Sequence, residues 1–547
     1  MGSTHFPPLA DWSWQVPEFF NIGVACTDRH LGSPIEQAPA IVVEDDGEGT
    51  SRMSYGELAE FSSRFAGALT SLGIAREDRV LVRLPNSLAY PIAFFGTMKM
   101  GGIVVPTSTL LAGPEVKYLA KDSGARVFLT HKSMWESLAE PLGECETLEH
   151  VILSGDGPLP EHPRLKLHDF SSLTLGAMPQ TQAVRTRADD PAYLVYTSGT
   201  TGYPKGVLHA HRALIGRFPA SEYWFDFVPG DRIMHSGKFN WTYVLGSALM
   251  DPLYRGMTVI VHEGKNDAHT WPRLIKKHGC TIFIGVPTIY RQIIQKTEYT
   301  RDDVPTLRHC MSAGEHLSDE MFDAWKARFG LDIYEAIGMS EFSYYISHSK
   351  YKPIRPGSAG FPQPGHDVVL LDEDRNEVGV DEEGMIAIPE SDPGLFLRYW
   401  NLPEETTKQR HDGYFFTGDY ARRDADGYVW FLGRRDDILK PFGYRVSPHE
   451  IERVLKTHPS VADCVCIGIE PEAGKLLIAA VIIRHPGAAA DAKAMLAFAD
   501  ENLAAYKRPK LVYFVDDYPK TMNGKVIRKT LQANLQKKYL EEGAPHE

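Results

Sequence analysis

Along this chain the apolar positions fall into short strand-like runs separated by Gly-, Pro- and Asp-rich punctuation. Ala192-Tyr-Leu-Val-Tyr196 is apolar throughout, which predicts a buried strand feeding the loop Thr197-Ser-Gly-Thr-Thr-Gly-Tyr-Pro-Lys-Gly206. Around Tyr414-Phe-Phe-Thr-Gly-Asp419, two apolar stretches flank the turn Asp424-Ala-Asp-Gly427. That pattern predicts a hairpin with Asp419 and Arg434 near its two ends. Beyond Arg434 the pattern changes. Helical spacing runs from Pro448 to Thr457 and from Asp491 to Leu503, with Asp491 as N-cap, and strands are predicted over Ala462–Ile469 and Leu476–Ile483. The chain therefore divides into a large domain, residues 1–435, and a small α+β domain, residues 436–547. At 547 residues it is too long for one core in any case.

The loop after the first of these strands carries the most chemistry. Its glycines let the backbone turn tightly and aim N–H groups at anionic oxygens. Thr197, Ser198, Thr200 and Thr201 add hydroxyl donors around Gly199 and Gly202, and Lys205 is a compact mobile cation. The string does not fit G-x-x-x-x-G-K-[ST], because no Ser or Thr follows the lysine. It predicts polyphosphate binding by a different loop, and hence an ATP-using enzyme.

Composition narrows the picture. The formal charge of −13 argues against a general nucleic-acid or anionic-membrane binder. The first twenty residues have no signal-type apolar core, and no stretch reaches the roughly eighteen apolar residues of a membrane span. A cytoplasmic protein is expected. Six cysteines, Cys26, Cys145, Cys280, Cys310, Cys464 and Cys466, lack metal-ligand spacing and are expected to be reduced and structural.

The loop resembles the phosphate-binding signature of the adenylate-forming superfamily: acyl-CoA synthetases, luciferases and the adenylation domains of peptide synthetases. Further motifs join it. Tyr334-Glu-Ala-Ile-Gly-Met-Ser-Glu341 resembles the superfamily's Y-G-x-T-E motif, with Ile337 in place of the usual aromatic beside the adenine. Ser312-Ala-Gly-Glu-His-Leu317 resembles the loop whose backbone lies along that base, and Pro519-Lys-Thr-Met-Asn-Gly-Lys-Val-Ile-Arg528 the final catalytic motif. The resemblance implies an α/β N-terminal domain of two α/β subdomains plus a β-barrel-like subdomain, followed by the small α+β domain. It also assigns roles. Lys525, Glu341 and Lys205 are catalytic; Gly314, Glu315, His316 and Ser340 join the loop residues around ATP; Asp419 and Arg434 hold the ribose. Glu341 and Thr197 serve Mg²⁺, a hard cation that takes few carboxylates plus phosphate oxygens.

Asn21-Ile-Gly-Val-Ala-Cys-Thr-Asp-Arg-His30 resembles the entry segment of acetyl-CoA and medium-chain acyl-CoA synthetases, which implies a CoA ligase. By the same likeness Asp436 is the hinge, Gly443 lies beside the thiol channel with Tyr444 in the same CoA segment, and Arg445 matches a phosphate-contacting arginine. The acid pocket is expected from His235, Trp241, Tyr243, Gly246, Gly338 and Met339. Acetyl-CoA synthetases carry a tryptophan at the Gly338 position, so glycine there implies room for an acid larger than propionate, medium-chain aliphatic or aromatic. The partners are then that acid, ATP and CoA. A homodimer is compatible with the sequence, which does not fix the assembly. Two rivals are an adenylation enzyme that loads an amino or aryl acid onto a carrier protein, and a catalytically silent nucleotide-binding regulator.

Overall fold

The computed structural model describes residues 12–46, 49–180, 182–197, 204–314, 317–434, 437, 439, 441, 446–472, 475–489, 491–503, 505–520 and 526–543. Among these residues two large sheets dominate. One has nine strands, with six parallel in the order Ile333–Met339, His309–Ala313, Ile282–Gly285, Arg232–His235, Thr258–Glu263 and Pro39–Asp45, and antiparallel strands at both edges. The other has eight, in the order Arg398–Tyr399, Lys205–Ala210, Pro191–Thr197, Ile103–Pro106, Arg79–Arg83, Val127–His131, His150–Ser154 and Lys166–Asp169. Their central strands read as unbroken apolar runs because both faces are covered.

The main core takes Ile41 and Val43 from the first sheet, Val80 and Val82 from the second, and the helices Tyr55–Ser71 and Ala89–Lys99. The second helix is buried from Tyr90 through Lys99, so it is apolar on every side. Lys99 survives there because its ammonium meets Asp28 at 2.5 Å and the Ala59 carbonyl and Ser63 hydroxyl at 3.0 Å each.

A third sheet is antiparallel, pairing Val369–Leu371, Glu383–Pro389, Tyr414–Arg423 and Arg410–His411, with Val429–Arg434 also on Tyr414–Arg423. It lies where the barrel-like subdomain was expected, and among the described residues its ladders do not close into a ring. The last sheet joins Val461–Glu472, Lys475–Arg484 and Leu511–Phe514. Its helices include Pro448–Leu455 and Ala492–Asn502, the latter capped by the Asp491 side chain, which accepts the Ala494 N–H. The closing helix Arg528–Glu542 had no counterpart in the sequence reading. All six cysteines are buried and free. No helix among the described residues is long and apolar enough to cross a membrane.

Candidate nucleotide and acid site

Pro191–Thr197 and Lys205–Ala210 pair antiparallel, with Thr197 opposite Lys205. The glycine- and hydroxyl-rich string therefore connects two paired strands, and it is followed by a strand rather than by a helix. Ser198, Gly199, Thr200, Thr201 and Gly202 lie outside the described residues. The base of this connection is braced: the Tyr196 hydroxyl donates to Asp122 at 2.6 Å, and the Trp400 N–H donates to the Gly206 carbonyl at 2.7 Å.

Lys205 projects from this base toward residues that the sequence reading did not select. Its Nζ lies 2.7 Å from Glu405 and 5.7 Å from the centre of the Tyr399 ring. Hydrogen bonds from Lys205 and then Lys408 hold the Glu405 carboxyl down at about 2. The Tyr399 hydroxyl donates to Glu341 at 2.7 Å. Burial, and then the Glu341 charge, push that phenol well up. Tyr399 thus neighbours both the lysine and the glutamate. The signal for both new residues was the string Tyr399-Trp-Asn-Leu-Pro-Glu-Glu-Thr406, two aromatics followed by a proline and two acids.

Glu341 sits in the turn joining Ile333–Met339 to Ser343–Ser347. The Phe396 N–H donates to its carbonyl at 2.9 Å. Next to it, the Ser340 carbonyl meets His209 Nε2 at 2.7 Å. Burial keeps His209 neutral, its pKa down at about 3, so Nε2 carries the proton and donates. His209 also stacks on Tyr193, with ring centres 4.6 Å apart. Since His209 and Tyr193 lie on the two strands of the hairpin, the phosphate-side and glutamate-side turns are tied to one framework.

Asp419 and Arg434 face each other in register, Nε to Oδ1 at 3.5 Å. Burial opposes the Arg434 charge, but the charges of Asp419 and then Glu341 outweigh it and raise its pKa. At the end of His309–Ala313, Gly314 has a φ of +93°, the left-handed region that favours glycine. Glu315 and His316 lie outside the described residues. The following Leu317 N–H donates to Glu335 at 2.8 Å, and burial pushes that carboxyl up to about 8.

Trp241 covers Gly314, where an added Cβ would come within 3.6 Å of its ring, so the acid-side loop touches the expected adenine loop. Tyr243 meets Trp241 edge-on at 5.4 Å. Met339 and Ile337 pack half-buried against the main core. Lys238 is committed to Glu263 at 2.7 Å.

Three acid-pocket expectations change. His235 is buried, its Nδ1 accepting the Gly237 N–H and its Nε2 facing Ser247 at 2.9 Å, so no ring nitrogen is left for an acid. Gly338 does not open empty space: a Cβ there would lie 2.4 Å from the Ser343 carbonyl oxygen of its own hairpin. Gly246 is equally closed, since a Cβ would overlap Arg217 Nη2 at 1.3 Å. Both glycines permit close approach of protein to protein. Lys525, Asp436, Gly443, Tyr444 and Arg445 lie outside the described residues.

A lysine at a hairpin base, a tyrosine-held glutamate and an aspartate–arginine pair suit a nucleotide and its phosphates, and with the α/β scaffold they define the class of ATP-using, AMP-binding enzymes. The chain belongs to the AMP-binding enzyme family. The family model matches residues 33–400, and the model of the AMP-binding enzyme C-terminal domain matches residues 450–525. Among its relatives is the 3-hydroxybenzoate–CoA ligase of Aromatoleum sp. (strain CIB), 33% identical over 93% of this chain and 96% of that one. Another is the mitochondrial acyl-coenzyme A synthetase ACSM3 of Mus musculus, 29% identical over 95% and 92%. The crystal structure of the anthranilate CoA ligase AuaEII with anthranoyl-AMP superposes with a TM-score of 0.85 at 30% identity, covering 97% of this chain and 99% of that one.

Proposed function

We propose that this AMP-forming acid–thiol ligase activates a carboxylic acid larger than propionate, an aryl acid first among them, and passes the acyl group to CoA. The observation that carries the aryl reading is Trp241, a half-buried indole set between Tyr243 and Gly314 where acid and adenine loops touch. The benzoate-type relatives support it. Ile337 and Met339 offer an aliphatic wall nearby, which keeps a medium-chain acid as the second reading.

In the first half-reaction a carboxylate oxygen attacks the α-phosphorus of ATP, and the bond to pyrophosphate breaks. Lys205 and the glycine- and hydroxyl-rich string bind the phosphates, Asp419 accepts hydrogen bonds from the ribose hydroxyls with Arg434 beside it, and Lys525 bridges carboxylate and α-phosphate. Fixed cations lower the barrier where charge develops. Among the described residues no three acids, histidines or cysteines form a metal cage, and a single tyrosine-oriented glutamate fits an ion that arrives on phosphates. Glu341, with Thr197 at the strand end, would hold Mg²⁺, which when bound neutralises phosphate charge. In the second half-reaction the CoA thiolate attacks the acyl carbon and AMP leaves. Gly443 and Tyr444 border the thiol path, and Arg445 contacts phosphate. A rotation of the small domain at a hinge at Asp436, on a domain boundary at 435/436, exchanges the Lys525 arrangement of the first half-reaction for the CoA arrangement of the second.

The test is AMP and pyrophosphate release with ATP, Mg²⁺ and CoA across straight-chain acids from acetate to dodecanoate, plus benzoate and phenylacetate. Preference for the aryl acids supports the flat pocket; a maximum at mid-length chains selects the second reading; activity with acetate alone refutes both.

A further inference from the structure

Behind the site lies a buried charge pair that the scheme above does not use. Arg217 and Asp251 are 3% and 2% exposed. Arg217 Nε and Nη2 donate to the two Asp251 oxygens at 2.9 and 2.8 Å. The remaining N–H groups reach forward: Nη1 donates to the Ser343 hydroxyl and Nη2 to the Tyr344 hydroxyl, with the guanidinium carbon 4.3 Å over the Tyr344 ring.

Stability alone is a poor reason for such a pair, because apolar residues of like volume commonly serve a core as well or better. A guanidinium fork does fix geometry, and what it fixes here is the hairpin that carries Glu341. Ser343, two residues beyond Glu341, has a φ of +66°, a conformation that persists in a serine when its surroundings impose it. Arg217 grips that residue. The neighbouring Gly216 packs so closely on Gly394 that a Cβ would come within 2.2 Å of its Cα. Gly394 opens the segment whose Phe396 N–H holds the Glu341 carbonyl at 2.9 Å. Gly246 gives the guanidinium its room within the π-helical turn Leu245–Met250. Two of the attachments of the glutamate turn, through Ser343 and through the Phe396 segment, therefore lead back to residues 216–217, beside those from Tyr399 and His209.

We propose that Arg217, backed by Asp251, is a positioning residue for adenylate formation, holding the Ser343–Tyr344 end of the hairpin so that Glu341 faces the metal-bearing phosphates. The inference rests on the functional reading above. It predicts damage to the first half-reaction alone, because pyrophosphate and its metal have left before the thiol attacks.

The experiment uses two full-length variants. Ser343→Ala/Tyr344→Phe keeps the buried pair and removes both acceptors on the hairpin; Arg217→Met/Asp251→Leu removes both charges, so neither is stranded. Three quantities are measured: the calorimetric Kd of ATP with and without Mg²⁺, the rate of pyrophosphate release, and thioester formation from supplied acyl-adenylate and CoA. In Ser343→Ala/Tyr344→Phe the gain in ATP affinity from Mg²⁺ should shrink and pyrophosphate release should fall roughly ten- to hundredfold, the scale of a misplaced catalytic group. The thioester step should keep its wild-type rate. An undiminished Mg²⁺ gain, or equal loss in both half-reactions, overturns the proposal. This variant decides the question even if the other does not fold. Failure of the wild type to release pyrophosphate with any acid would instead overturn the functional reading.

Discussion

The Tyr399 hydroxyl donates to the Glu341 carboxylate at 2.7 Å, while Lys205 rests 5.7 Å from the centre of the same ring. One side chain therefore orients the glutamate and also neighbours the lysine. Tyr399→Phe keeps the ring and removes the donor. Pyrophosphate release should fall about tenfold, the equivalent of one charge-assisted hydrogen bond, and thioester formation from supplied adenylate should be unchanged.

Glu405 occupies Lys205 as an anion would, at 2.7 Å. Phosphates that bind Lys205 as proposed must displace it. Glu405→Gln should tighten ATP binding severalfold at low salt, with the difference shrinking as salt rises, as read by calorimetry. Weaker binding would mean that Glu405 serves to aim the lysine.

Gly338→Ala separates crowding from pocket space. A Cβ 2.4 Å from the Ser343 carbonyl oxygen meets backbone that cannot rotate away. The variant should lose on the order of 1–3 kcal/mol of stability, typical of overpacking, and lose activity with every acid alike. A selective loss of long or bulky acids in a fully stable protein would restore the pocket reading.

Glu335 gives the protein a pH signature. Its carboxyl titrates near 4.5 when unfolded and at about 8 when folded, because burial favours the neutral form. Between those values the folded state binds more protons, so stability falls as pH rises through the window. Glu335→Gln keeps an oxygen for the Leu317 N–H and should flatten that slope, gaining most in melting temperature near pH 8. An unchanged slope would mean that the carboxylate is ionised in the fold.

Lys525→Ala tests the small domain's part in the chemistry. Adenylate formation should nearly vanish while supplied adenylate is still converted to thioester. Parallel loss of both would remove the two-arrangement scheme.

What the sequence disclosed was local. The turn Asp424–Gly427 predicts its hairpin from neighbouring residues, and register then sets Asp419 opposite Arg434. The strand into the phosphate loop and the Asp491 cap were legible for the same reason. Tyr399 and Glu405 were not, because their value comes from partners 58 and 200 residues away. Arg217 was hidden in a bland segment, although a cation within Ala213-Leu-Ile-Gly-Arg-Phe218 was a sign of a buried charge. Glycine was the most misleading letter. Gly338 looked like an absent side chain, hence space, whereas in the fold other atoms already stand where a side chain would be, there and at Gly246 alike.

The Arg217–Asp251 pair also limits how this enzyme can diversify. It backs Gly246 directly and, through Ser343 and Tyr344, the hairpin at Gly338, so enlarging either glycine disturbs the glutamate turn before it reshapes any acid chamber. Ile337 and Met339 share that hairpin, Met339 directly opposite Ser343, whereas Trp241 lies outside it. A change of diet, natural or engineered, has its open road through Trp241.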